Sequence, residues 1–94
     1  MSCKYTWIVT RDALLGDSSD AIGKLGPSGV AGRARFDIVI LNGEHFRLLD
    51  EAGEVRYIGY ILGEYGGPEP LEDYGRKHGC VAVEYERDGK WVTI

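Results

Sequence analysis

His45-Phe46-Arg47-Leu48-Leu49-Asp50-Glu51-Ala52-Gly53-Glu54-Val55-Arg56-Tyr57-Ile58-Gly59-Tyr60-Ile61-Leu62 is the stretch that decides the fold class. Residues 45–49 have the composition of a short strand, and residues 50–54 are rich in the types that turns use. Residues 55–62 then place Val55, Tyr57 and Ile61 on one face, as a half-buried strand does. Two such runs joined by a short turn read as an antiparallel β-hairpin.

The same pattern returns towards the C-terminus. Residues 80–86 alternate, with Val81, Val83 and Tyr85 expected inward and Ala82, Glu84 and Glu86 the other way. Asp88-Gly89 is a hairpin turn signal, and residues 90–94 read as the returning strand. Near the N-terminus, Tyr5-Thr6-Trp7-Ile8-Val9-Thr10 reads as a further strand with Tyr5, Trp7 and Val9 on one face. Trp7, Phe46, Tyr57, Val83 and Trp91 are the expected core.

The intervening segments are less regular. Residues 12–32 contain Gly16, Gly23, Gly26, Gly29, Gly32 and Pro27, and read as a long loop with room for one helical turn at residues 19–22. Residues 33–42 admit two readings. Phe36-Asp37-Ile38-Val39-Ile40-Leu41 has strand propensity, with Asn42-Gly43 as a hairpin turn. Alternatively Ala34, Ile38 and Leu41 share one helical face, and Asn42-Gly43 suits a helix C-cap. Residues 63–70 break the strand pattern with Gly66-Gly67-Pro68 and Pro70, and residues 71–79 read as a turn or one-turn helix. The whole is expected to be one domain over residues 1–94. Its class is α+β, a small antiparallel sheet of about five strands with one short helix or helix-like segment.

Composition narrows the function classes. The net charge is −4, and it is unevenly spread. Residues 1–43 carry four acids against five bases, while residues 44–75 carry eight acids (Glu44, Asp50, Glu51, Glu54, Glu64, Glu69, Glu72, Asp73) against two bases (Arg47, Arg56). The basic footprint of a nucleic-acid-binding domain is absent, and a charged partner is expected to be basic. No apolar run reaches the length of a membrane span. Met1-Ser2-Cys3-Lys4-Tyr5 lacks the apolar stretch of a signal peptide, so the expected compartment is the cytoplasm, with Cys3 and Cys80 as reduced thiols.

No catalytic signature is assembled. Gly23-Lys24 is followed by Leu25 and lacks the upstream glycine of a phosphate-binding loop. His78-Gly79-Cys80 offers one close pair of soft ligands, but the second pair of a structural zinc site is missing. Ser18, Ser19 and Ser28 lie in the glycine loop with no Gly-x-Ser-x-Gly around them. The expectation is no catalytic residue, no cofactor and no metal. The candidate partner-binding surface is the acidic one, with two tyrosines on a proline-stiffened loop: Asp50, Glu51, Glu54, Glu64, Tyr65, Glu69, Glu72, Asp73 and Tyr74. Leu71 and Tyr74 would otherwise pin this loop to the core. Glu69, Glu72 and Asp73 read as exposed.

Several motifs together resemble a known family. They are Trp7-Ile8-Val9-Thr10-Arg11-Asp12, Gly26-Pro27, Phe46-Arg47-Leu48-Leu49-Asp50 with Gly53-Glu54, Tyr57-Ile58-Gly59, Glu69-Pro70-Leu71-Glu72-Asp73-Tyr74-Gly75, Gly79-Cys80, Tyr85 and Gly89-Lys90-Trp91. The set is similar to a family of small uncharacterised bacterial proteins that also occurs on phages and other mobile elements. The resemblance implies a helix before Gly43 and an acidic turn at Asp50, Glu51 and Glu54, and no known activity. With the acidic half, it leads to a non-enzymatic protein-binding module as the expected function, such as an inhibitor of a bacterial defence complex of the anti-CRISPR type. The alternative is an accessory or structural subunit of a bacterial or phage complex.

Overall fold

The computed structural model describes residues 5–16, 22, 25–26 and 36–94. Strands β1 (Tyr5–Asp12), β2 (Leu25–Gly26), β3 (Glu44–Asp50), β4 (Val55–Gly63), β5 (Cys80–Arg87) and β6 (Lys90–Thr93) form one antiparallel sheet. Their order is β2-β1-β4-β3-β5-β6. Helix α1 (Phe36–Asn42) precedes β3; α2 (Glu69–Asp73) and a 3-10 turn (Gly75–His78) join β4 to β5. The architecture is α+β, as the alternation predicts. Of the segment that admitted both readings, Phe36–Asn42 is helix, and the described residues hold two short helices rather than one.

The two hairpins form where local turn chemistry directs them. Asp88 and Gly89 both take positive φ, 54° and 78°, as a type I′ turn between right-twisted strands requires. At the β3–β4 turn, the Asp50 carboxylate accepts from the amides of Ala52 (2.9 Å) and Glu54 (3.0 Å), which closes the turn from inside.

One sheet face carries the main core. Trp7 and Val9 of β1, Phe46 and Leu48 of β3, Tyr57 and Ile61 of β4, and Val83 and Tyr85 of β5 pack together under Leu71 and Tyr74. Trp7, Phe46, Tyr57 and Val83 are buried as expected. Burying each such side chain stabilises the fold by about 1.5–3 kcal/mol. On the opposite face lies the fully buried Ile8, and α1 packs chiefly against β1 and β4 with Val39 buried.

Several expectations need correction. Part of the segment expected as loop is sheet: β1 continues through Asp12, and Leu25–Gly26 pairs with Ile8 and Trp7. Among the described side chains of α1, Val39 is buried while Ile38 and Leu41 are exposed, so the helix is rotated away from the face proposed for it. Trp91 is not core. It lies half-buried on the opposite face, because its partner Glu86 is one residue out of phase with Tyr85. Val81 is exposed rather than inward, because the β3–β5 register steps from Leu49↔Ala82 to Asp50↔Cys80 and leaves it unpaired in a bulge. A similar bulge between Val9 and Arg11 turns Arg11 out and Asp12 in. The helical turn proposed at residues 19–22 (Ile22 aside), Cys3, Ala34 and most of the glycine loop lie outside the described residues.

Candidate functional site

The nine residues of the expected acidic surface do not form one surface. Tyr74 is buried beneath Trp7 (ring centroids 5.5 Å apart), meets Tyr57 edge-on (5.3 Å), and is covered by the stacked His78 ring (4.0 Å). Its hydroxyl is pushed up to about 12 by burial and by the neighbouring Tyr57 and Asp12. Tyr65 stacks on Tyr85 (6.0 Å) and donates to Glu44 at 2.7 Å.

Three of the acids hold the fold together. Asp50 closes the β3–β4 turn. Glu69 accepts from the amides of Gly66 and Gly67, both at 2.7 Å. Burial opposes the charge on Glu69, but these amides outweigh it and hold its carboxyl below the usual range. Asp73 accepts from the Tyr5 hydroxyl and the Trp7 indole. The expectation that Glu69 and Asp73 are exposed is therefore overturned: both are half-buried.

Glu51, Glu54, Glu64 and Glu72 are exposed. Glu54 precedes β4 and Glu64 follows it. At ~3.3 Å per strand residue, they stand roughly 30 Å apart.

A different constellation occupies the face of the sheet opposite the main core. His45 of β3 stacks on Tyr60 of β4, with ring centroids 4.6 Å apart and planes inclined by 10°. Trp91 of β6 leans across β5 to meet His45 at 5.2 Å. The Arg47 guanidinium lies 4.2 Å from the Trp91 ring centroid. Arg47 donates to Glu84, which also accepts from Thr93 at 3.0 Å, while the exposed Glu86 lies 3.5 Å from His45. All of these residues alternate outward from the core positions Phe46, Leu48, Ile61 and Tyr85. The row is thus a consequence of strand parity and register. Tyr60, His45, Trp91 and Arg47 each remain partly exposed.

These residues were absent from the expected site. The signal was present for His45, Arg47 and Tyr60, which are one residue out of phase with the core positions Phe46, Leu48 and Ile61 of their strands. Nothing local placed Trp91 beside them.

Chemically, the row presents aromatic faces and a guanidinium side by side. The Cys80 thiol is raised by burial, the reverse of an activated nucleophile. Among the described residues no group of three His, Cys, Asp or Glu could hold a metal ion, and no helix is long and apolar enough to cross a membrane. Set against known proteins, the chain matches no protein-family model, no curated protein and no solved structure.

Proposed function

We propose that this chain is a non-enzymatic protein-binding module, and that its contact surface is the outer face of β3, β4 and β6 rather than the acidic loops alone. The observation that carries this reading is the row Tyr60–His45–Trp91–Arg47, half-exposed and locked by ring contacts. Tyrosine, tryptophan and arginine dominate the energetics of protein interfaces. Side chains already held in place lose little further freedom on binding.

The net charge of −4 and the exposed Glu51, Glu54, Glu64, Glu72 and Glu86 favour a partner with a basic surface. Charges of this kind act mainly on the association rate. The motif resemblance supports a mobile-element setting. A nucleic-acid-binding subunit of a bacterial defence complex is a basic partner of the required kind, so the specific form of the proposal is an inhibitor of the anti-CRISPR type.

The test is affinity capture from a host carrying such a complex, together with DNA binding by the purified complex in the presence of the chain. The native chain is expected to capture a subunit and reduce DNA binding. The Tyr60→Ala/Trp91→Ala variant, checked for native circular dichroism, should do neither, and Leu41→Ser should behave as the native chain. Capture that survives the double substitution moves the contact surface elsewhere. Failure of the native chain in both assays removes the inhibitor reading.

A further inference from the structure

The outer edge of β6 ends the sheet, and its hydrogen-bonding phase follows from one contact. The Ile94 amide donates to the Val83 carbonyl at 3.1 Å, which makes Val83 and Ile94 a hydrogen-bonded pair. In an antiparallel ladder such pairs alternate with non-hydrogen-bonded ones. Tyr85↔Val92 and Arg87↔Lys90 are then the other bonded pairs, and Trp91 and Thr93 direct their backbone N–H and C=O groups away from β5. No described strand lies on that side.

This edge is only lightly protected, by its shortness and by a single lysine. It has no proline and no bulge, and Lys90 is its one charged residue. Val92 and Ile94 are 41% and 50% exposed. The opposite edge, β2, is two residues long and offers far less.

We infer that β6 pairs with β6 of a second copy of this chain, antiparallel about a two-fold axis at Val92. The edge is self-complementary in that register. Trp91 faces Thr93 of the second copy, and each such pair exchanges both of its backbone bonds. Val92 meets its own counterpart as a non-hydrogen-bonded pair, where side chains approach most closely. Lys90 faces Ile94 of the second copy, so no like charges are opposed. Registers centred on Trp91 or on Thr93 align only one outward residue with its counterpart and do not bring the Val92 side chains together. A short edge with two apolar side chains per copy falls below the ~1,200 Å² of a stable interface, so the dimer is concentration-dependent. Pairing of this kind runs the two sheets into one and brings the two Trp91 residues near the axis. The apolar contact that it adds, at Val92, lies on the other face from the aromatic row, so substitution at Val92 tests the pairing apart from the binding function proposed above.

Sedimentation velocity over a wide concentration range tests the inference. The native chain is expected to pass from monomer to dimer as concentration rises. Val92→Lys places like charges at the axis and should weaken self-association by about tenfold or more, with an unchanged melting temperature. Val92→Cys gives a positive test, since Cα atoms about 4.5 Å apart at a non-hydrogen-bonded pair lie within disulfide reach. It should cross-link on mild oxidation well beyond Lys90→Cys and beyond the unsubstituted chain. A native chain that stays monomeric at millimolar concentration overturns the proposal. So does a dimer indifferent to Val92→Lys, or cross-linking no greater at 92 than at 90. If the Trp91 and Thr93 amides gain protection only when another protein is added, the edge serves that protein and not a second copy.

Discussion

The indole Nε1 of Trp7 donates a hydrogen bond to the Asp73 carboxylate at 3.0 Å and so ties β1 to the last residue of α2. The same carboxylate oxygen accepts from the Tyr5 hydroxyl at 2.7 Å. Asp73→Ala leaves both donors without this partner, and is expected to cost about 1–3 kcal/mol in urea unfolding. Glu72→Ala, next to it and exposed, should stay within about 0.5 kcal/mol of the native chain. Equal effects at the two positions would mean that Asp73 is an ordinary surface acid.

The two tryptophans should separate sharply. Trp7 is 4% exposed at the centre of the core, and Trp7→Ala is expected to cost about 3–5 kcal/mol. Trp91 is half-buried on the other face, where its loss removes a cation–π contact and some ring packing, so Trp91→Ala should cost roughly 1 kcal/mol. Chemical denaturation of both variants checks the contrast. A loss at Trp91 as large as that at Trp7 would return it to the core.

Gly59 is required by the closeness of β1 to β4. A methyl group there would land on the Ile8 carbonyl oxygen and come within 2.9 Å of the Phe46 ring. The obstacle is backbone, so no rotamer change relieves it. Gly59→Ala is expected to cost about 3 kcal/mol, the upper part of the usual overpacking range. Amide exchange should show the loss concentrated in the β1–β4 ladder.

Acid should destabilise the fold through Glu69 and Glu44. Burial opposes the charged form of each, yet the Gly66 and Gly67 amides for Glu69, and Arg87 and Tyr65 for Glu44, hold both carboxyls below the ordinary 4.5. A depressed carboxyl contributes stability that is present above its unfolded value and is lost as pH falls through the folded one. Urea midpoints should therefore drop below pH 4.5, and Glu69→Gln should flatten that drop.

Base should act through the buried tyrosines. Burial raises Tyr85, Tyr65 and Tyr74 above the ordinary 10.0, with the Glu44 carboxylate adding to the effect at Tyr65. Stability from a raised tyrosine is complete below its unfolded value and falls as pH rises towards the folded one. Melting temperature should hold up to about pH 10 and fall beyond it, with tyrosinate absorbance appearing together with unfolding. Free titration of all the tyrosines near pH 10 without unfolding would contradict their burial.

The local signals by themselves determined the α+β class and the two hairpins. Turn types such as Asp88-Gly89 and the Asp50 to Glu54 run act over a few residues, and period-two alternation in β3 and β4 names the core face directly. Residues 33–42 satisfied both helix and strand rules, and for Phe36–Asn42 only packing of Val39 against the sheet decided between them. Tertiary structure also decided which charged and aromatic residues are available for contact. The bulges that expose Val81 and bury Asp12 arise between paired strands, and no single strand's pattern contains them. Trp91 lies in a strand of four residues, too short for its own alternation to choose a face, so its side is set by pairing with Glu86. Asp73 looks like any turn acid until Trp7, 66 residues earlier, arrives beside it. Hydrogen bonds and stacking between distant segments have no local periodicity, which is why the acidic residues and the outward positions His45, Arg47 and Tyr60 were legible in the sequence, while the scattering of the acids and the gathering of the row around Trp91 were not.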